Sequence, residues 1–264
     1  MAKILFIHGG FGNALLQVAH VNRYEKSFVI SNFFTSRLIR KFLGFTNHPN
    51  LLLERVDLKE AGIKSVAVIP IIFLDIVIAK LFSYSLFTEL DIGFVSAKPI
   101  FKKLSYFGYF QENIDLESII NVGHYLKPHH VNEVCTDNKV VVHVRGGDFI
   151  GTSQALDQEY YSKALKYIFM QDIYKDSELV LISNDLDYAY DLLKKSGLDK
   201  EKYSISSGLE LDDFNLLHNC MCLISSNSTF ALTAAITNPN NKTILIPKDR
   251  FNLKNNHAFS FIQI

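Results

Sequence analysis

The residues best suited to chemistry fall in short segments where an apolar run gives way to small, hydroxylated or charged side chains. His143-Val144-Arg145-Gly146-Gly147-Asp148 closes the run Lys139 to Val142, and alternation along a strand puts His143 and Arg145 on one face at its C-terminal end. A guanidinium presents a planar fork of donors that suits a diphosphate, and two glycines admit a ligand close to the backbone. Asp148 is placed to orient Arg145 or His143 or to accept a substrate proton, with Asp157 and Glu159 as further candidate bases. An Arg145–Asp148 ion pair of purely structural use is the plainer alternative. In Leu223-Ile224-Ser225-Ser226-Asn227-Ser228-Thr229-Phe230, four hydroxyl residues and one amide lie between a strand and a helix starting near Phe230. Hydroxyls and free N–H groups at a helix start make a phosphate cradle, so Ser226, Asn227, Ser228 and Thr229 are candidate ligand contacts; capping alone needs only one of them.

Ser183-Asn184-Asp185 ends another strand, and the Asn184 amide and Asp185 carboxylate either read a ribose or base edge or cap the next helix. Near the N-terminus, His8-Gly9-Gly10-Phe11-Gly12-Asn13 precedes an expected helix over Ala14 to Val21, where Gly10, Gly12 and Asn13 can face an anion or a sugar hydroxyl. A dinucleotide fingerprint would need a third small residue at the position of Leu15, so the nicotinamide-dehydrogenase signature fails. No metal site is indicated: Cys135, Cys220 and Cys222 form no C-x-x-C pair, no His stands at ligand spacing, and the thiols read as reduced.

Strand-like runs recur at Lys3 to Ile7, Ser27 to Ile30, Lys139 to Val144, Leu179 to Ile182, Met221 to Ile224 and Thr243 to Ile246. Helical patterns at Gln158 to Phe169, Asp187 to Lys195 and Asp212 to Asn219 lie between them, which argues for parallel α/β sheets. The pattern starts twice, so two α/β domains facing across a cleft are expected, 1–130 and 131–264. With 48% hydrophobic residues a folded core is assured, and 27 basic against 27 acidic residues give no global field for nucleic acid. The N-terminal apolar run is too short for a signal peptide, and a cytoplasmic location is expected. The apolar stretch Val66 to Phe82 is interrupted by Pro70, Asp75 and Lys80; it reads as a core helix or as a surface touching the inner face of the cytoplasmic membrane.

Four segments in order resemble the bacterial α-1,2-fucosyltransferases, a glycosyltransferase family 11-like group. Gly9-Gly10-Phe11-Gly12-Asn13-Ala14-Leu15-Leu16-Gln17 resembles the family's Gly-Gly-Leu-Gly-Asn-Gln-x-x-Gln, and Gly108-Tyr109-Phe110-Gln111 its Gly-Tyr-aromatic-Gln. The Arg145 segment resembles His-x-Arg-Arg-Gly-Asp. Ser226 to Phe230, preceded by Asp212 to Leu217 and followed by Ile246-Pro247-Lys248, resembles the late donor-binding region.

The resemblance implies a GT-B fold of two Rossmann-like domains, an N-terminal acceptor-side one and a C-terminal nucleotide-sugar-binding one. It also implies inverting transfer of L-fucose from GDP-fucose to a glycan hydroxyl, galactose O2 of an O-antigen-like surface glycan, without cofactor or metal. Arg145 would then neutralise the leaving diphosphate, Ser228 and Thr229 would contact the phosphates, and His143 and Asp185 would touch the guanosine. Gly12 and Asn13 would lie across the cleft. A lipid-linked acceptor fits the apolar 66–82 stretch. Tyr84, Phe87, Tyr106, Phe107 and Tyr109 offer rings for an acceptor sugar or for the core.

Three positions depart from the pattern: Gly146 replaces the second arginine, Ala14 replaces the glutamine, and the chain has no Trp where the late motif continues into tryptophans. They keep open a transferase using another nucleotide sugar and a non-catalytic nucleotide-sugar or glycan-binding module.

Overall fold

A computed structural model describes residues 3–7, 9–25, 28–31, 64–66, 88–91, 96–97, 99, 105–108, 110–111, 114–126, 137–240, 242–248, 253 and 259–264. The chain divides into two units, Met1–Lys127 and Pro128–Ile264. In the first, the described elements are β1 (Lys3–Phe6), α1 (Phe11–Tyr24), β2 (Phe28–Ser31), β3 (Lys64–Val66), β4 (Thr88–Asp91), β5 (Ser96–Ala97), β6 (Ser105–Gly108) and α2 (Leu116–Gly123). Their sheet has the order β3-β2-β1-β6-β4-β5, parallel except for β5. Helix α1 begins at Phe11, earlier than the expected Ala14. Gly10 takes the extended N-cap conformation, and Phe11 and Gly12 are buried in the first turn. The Val66 to Phe82 stretch lies outside the described residues save for Val66, which ends β3.

The second unit runs β7 (Asp137–Val144), α3 (Gln158–Phe169), β8 (Glu178–Ser183), α4 (Leu186–Lys195), β9 (Ser204–Ile205), α5 (Glu210–Asn219), β10 (Cys220–Ile224), α6 (Thr229–Ile236), β11 (Lys242–Ile246) and β12 (Phe259–Gln263). All neighbours in its sheet, β12-β11-β10-β7-β8-β9, are parallel. This is the doubly wound order, in which successive connections leave β7 towards β8 and β10 towards β11, so the strand order reverses between β7 and β10. Right-handed crossovers then put α3 and α4 on one face and α6 on the other. The first of these faces is packed: Val140, Val142 and Val144 of β7 meet Tyr160, Tyr161, Ala164, Leu165 and Ile168 of α3 and Ala189 and Leu193 of α4. Val141 and His143, on the alternate face, are buried too, which explains why β7 reads as a nearly unbroken apolar run.

Helix ends are set by local chemistry. Asp157 and Asp185 accept from the N–H groups of Tyr160 and Tyr188 at the starts of α3 and α4. Gly197, at φ 90°, lets α4 end by bonding the Leu198 N–H to the Leu193 carbonyl. No helix among the described residues is long and apolar enough to cross a membrane.

Lys242, at the start of β11, is only 1% exposed, and its ammonium donates to the carbonyls of Leu217 (3.2 Å), His218 (2.7 Å) and Ala235 (3.0 Å). Those carbonyls end α5 and α6, so three N–H donors meet three acceptors at the negative ends of two helices. Burial lowers the Lys242 pKa, and the carbonyl cage offsets that cost. Lys242→Met keeps the stem but removes all three charge-assisted bonds, and should destabilise the protein by about 2–4 kcal/mol. Denaturant unfolding checks this; an unchanged midpoint would show that the helix ends do not need the ammonium.

Candidate functional site

The reversal point between β7 and β10 is bridged by a side-chain hydrogen bond, His143 Nδ1 to Ser226 Oγ at 2.8 Å. His143 is buried, and desolvation, helped by the nearby Arg145 charge, holds its pKa down to about 3. The imidazole is therefore neutral at ordinary pH, a positioning group and not a cation. Two tyrosines of α3 secure the same edge from the opposite face. Tyr161 donates to the His143 carbonyl (3.0 Å), and the Tyr160 hydroxyl lies 2.5 Å from the Ser225 carbonyl and 3.1 Å from that of Leu245. The sequence places both tyrosines only within the expected helix Gln158 to Phe169 and singles out neither for this role. The signal was two adjacent tyrosines just after the cap Asp157, whose buried hydroxyls must find partners.

Beyond β7, Arg145 pairs with Asp148 at 2.8 Å, with side chains 24% and 54% exposed, and its guanidinium lies 5.3 Å from the Phe149 ring centroid. An ion pair this open contributes about 0.2–1 kcal/mol, so a ligand's phosphate can take Arg145 from it. The Gly146 N–H donates to Asn184 Oδ1 (2.9 Å) and the Gly147 N–H to Asp185 Oδ2 (3.2 Å). Asn184 and Asp185 thus clasp the loop after β7 while Asp185 also caps α4. Gly147 needs its positive φ of 57°. Gly146 needs its missing side chain: a Cβ there would stand 2.7 Å from Asp185 Cβ and 3.0 Å from Tyr188 Cδ1. The other candidate bases are engaged elsewhere, Asp157 as the α3 cap and Glu159 with Lys163 at 2.7 Å.

The loop after β10 leads into α6. Ser228 occupies the N-cap position but makes no capping hydrogen bond with its side chain, unlike the aspartates of α2, α3 and α4. The start of α6 therefore keeps N–H groups that its own cap residue does not satisfy. Ser226, Asn227 and Ser228 are nearly buried and Thr229 half-buried. Asn227 Nδ2 donates to the Gln154 carbonyl at 2.7 Å, tying down the loop between Phe149 and Leu156. Phe230, the second residue of α6, packs against Phe214 of α5 with ring centroids 6.2 Å apart. Two parts of the late motif are thereby joined.

In the first unit, Gln111 donates to Asn13 Oδ1 at 3.1 Å, bringing together two segments nearly a hundred positions apart. They follow β6 and β1, which are adjacent and parallel. Between them Phe110 holds φ at 53°, unusual for a bulky residue, with its ring stacked on His20 at 4.0 Å. A Cβ on Gly10 would meet nothing within 4 Å, and Gly12 lies inside α1. Tyr106 is fully buried and bonds Glu25 at 3.0 Å, so it serves the core, not a sugar. His8, Tyr84, Phe87 and Tyr109 lie outside the described residues, as does the side chain of Phe107.

Residues 105–260 match Glycosyl transferase family 11. The backbone is similar to E. coli heptosyltransferase WaaC with ADP, at TM-score 0.47 and 9% identity over 100% of this chain and 93% of that one. It is also similar to WaaC with ADP-2-deoxy-2-fluoro heptose, at TM-score 0.41 and 10% identity over 99% and 92%. No curated protein sequence matches the chain.

Gly146→Ala should cost about 1–3 kcal/mol by pushing Asp185 and Tyr188 aside, and Gly146→Arg at least as much; an unchanged denaturation midpoint in either would mean that α4 yields freely. His143 predicts a pH effect of defined sign. Its folded pKa is far below the ordinary value of about 6.5, so the unfolded chain binds the extra proton between the two. Stability should fall as pH drops from about 6.5 towards 4. In His143→Asn this loss should be smaller, as denaturation at pH 7 and pH 4.5 would show.

Proposed function

The chain belongs to glycosyl transferase family 11, and we propose that this glycosyltransferase moves L-fucose from GDP-fucose to a hydroxyl of a surface glycan, with inversion. Galactose O2 of an O-antigen-like, lipid-linked glycan at the inner face of the cytoplasmic membrane is the proposed acceptor. The observation that carries the donor side is that Arg145, held only in an open ion pair, and the start of α6, where Ser228 gives no side-chain cap, follow β7 and β10 on either side of the strand-order reversal, where open α/β sheets take their ligands. The donor diphosphate takes Arg145 from Asp148 and lies against the N–H groups of α6, near the hydroxyls of Ser228 and Thr229.

In the reaction the acceptor oxygen bonds to the anomeric carbon as the bond from that carbon to the diphosphate breaks. Arg145 and the helix start stabilise the charge gathering on the leaving phosphate. Asp148, released from Arg145, takes the acceptor proton. His143, neutral and bonded to Ser226, keeps the two loops together and adds no charge of its own.

The close packing of Gly146 against Asp185 favours one second reading, a different nucleotide sugar. The second arginine of the fucosyltransferase motif has no room here unless α4 shifts. Calorimetry and product release with GDP-fucose beside GDP and UDP-, dTDP- and CMP-sugars separate the two. Selective binding of GDP-fucose supports the first, and preference for another donor supports the second. Arg145→Ala should lower transfer about 10²–10³-fold, and near-normal turnover would remove Arg145 from the mechanism.

A further inference from the structure

Arg145 is a long side chain that follows β7, and two groups of different kind hold its guanidinium. The Asp148 carboxylate takes the edge at 2.8 Å, and the Phe149 ring lies against the face, its centroid 5.3 Å from the central carbon. All five donors of a guanidinium lie in its plane, so an ion pair at the edge competes with a phosphate, whereas a ring at the face uses none of them. A ligand that displaces Asp148 therefore leaves the ring contact whole.

The ring is itself held through its backbone. Gly147, with its positive φ, turns the chain into a single 3-10 turn, Gly147–Phe149, and the Phe149 N–H donates to the Gly146 carbonyl at 3.2 Å. On the far side the Phe149 carbonyl accepts from the Thr152 N–H at 3.0 Å and from the Thr152 hydroxyl at 2.7 Å. With Gly146 and Gly147 clasped by Asn184 and Asp185, the Phe149 backbone is fixed before and after the residue. We propose that Phe149 is a positioning residue, whose ring holds the Arg145 guanidinium by its face so that the edge meets the donor diphosphate already ordered. This rests on the donor-site reading above, and Phe149 acts only through Arg145. Without the ring, Arg145 must be ordered at the moment of binding, which for one such side chain costs about 2–10-fold in affinity.

The test measures affinity for GDP, UDP and dTDP by calorimetry in wild type, Phe149→Leu, Phe149→Tyr, Arg145→Ala and the double variant Phe149→Leu/Arg145→Ala, with thermal unfolding as the check on folding. A further variant carries pentafluorophenylalanine at position 149, which keeps the shape of the ring and withdraws the negative charge from its face. For the diphosphate that wild type binds best, the proposal expects about 2–10-fold weaker binding in Phe149→Leu and in the fluorinated variant, and wild-type affinity in Phe149→Tyr. It also expects Phe149→Leu to cost nothing further once Arg145 is replaced. An equal loss in both backgrounds would mean that Phe149 touches the ligand or merely supports the loop, and would overturn the proposal. Wild-type affinity in a folded Phe149→Leu or in the fluorinated variant would overturn it too. If Arg145→Ala binds every diphosphate as tightly as wild type, or wild type binds none, the donor-site reading itself falls, and this inference with it.

Discussion

The candidate site beyond β7 and β10 depends on holding the C-terminal ends of neighbouring parallel strands in a fixed relation, because its groups come from the loops that leave such strands. Parallel neighbours are joined along their length by backbone bonds, but those bonds stop where the loops begin. Here α3 takes over. Tyr161 fixes the C-terminal end of β7 through the His143 carbonyl, and Tyr160 reaches the Ser225 and Leu245 carbonyls beyond β10 and on β11. Their position follows from Asp157, whose cap starts α3 one turn earlier and lays both rings on the sheet. Each hydroxyl is held by burial as well as by its bond, so the strand ends cannot drift without exposing an aromatic ring.

Within that frame the buried positive and titratable groups serve different tasks. Lys242, at the opposite end of the sheet, is wholly committed to three helix-end carbonyls, and His143 is kept neutral by burial. Arg145 is thus the cation of the segment after β7, and Gly146 cannot supply another. A helix start contributes about 0.3–1 kcal/mol towards an anion at an exposed site and up to about 2 when partly buried. Charge-assisted bonds from a guanidinium contribute about 1.5–3 kcal/mol each. In the donor site proposed above, Arg145 therefore outweighs the helix, yet the helix is the part that cannot swing away, so the two would divide the work into strength and position.

Much of this was legible in the chain. Lys139 to Val144, Leu179 to Ile182, Met221 to Ile224 and Thr243 to Ile246 each fall within an observed strand, because central strands buried on both faces are unbroken apolar runs. Strands β4, β5 and β6 were not legible. They are short, and Thr88-Glu89-Leu90-Asp91 carries too many polar residues to declare itself. β12 was missed although Phe259 and Phe261 alternate into the core. Among site residues, the Arg145 and Ser226 to Thr229 segments were readable from residue type, but side-chain direction was not. Asn184 and Asp185 were legible as nucleoside readers or as helix caps; Asp185 caps α4, and the further grip of both on the backbone of Gly146 and Gly147 was not legible, since an amide or a carboxylate at a strand end serves any of these uses on paper.

The two units solve a similar problem by similar means. In each, two segments of the resemblance follow adjacent parallel strands and meet through one side-chain hydrogen bond, Asn13 with Gln111 beyond β1 and β6, His143 with Ser226 beyond β7 and β10. In the first unit the arrangement also carries strain: Phe110 in the left-handed region costs about 1–2 kcal/mol, which burial of its ring offsets at about 1.5–3 kcal/mol. A backbone held there against its preference turns the chain sharply and delivers Gln111 to Asn13. The motifs are therefore far apart in sequence for a geometric reason. A parallel sheet brings the ends of adjacent strands together only after a crossover, so residues that must touch at its C-terminal edge are separated by at least one whole strand-helix unit.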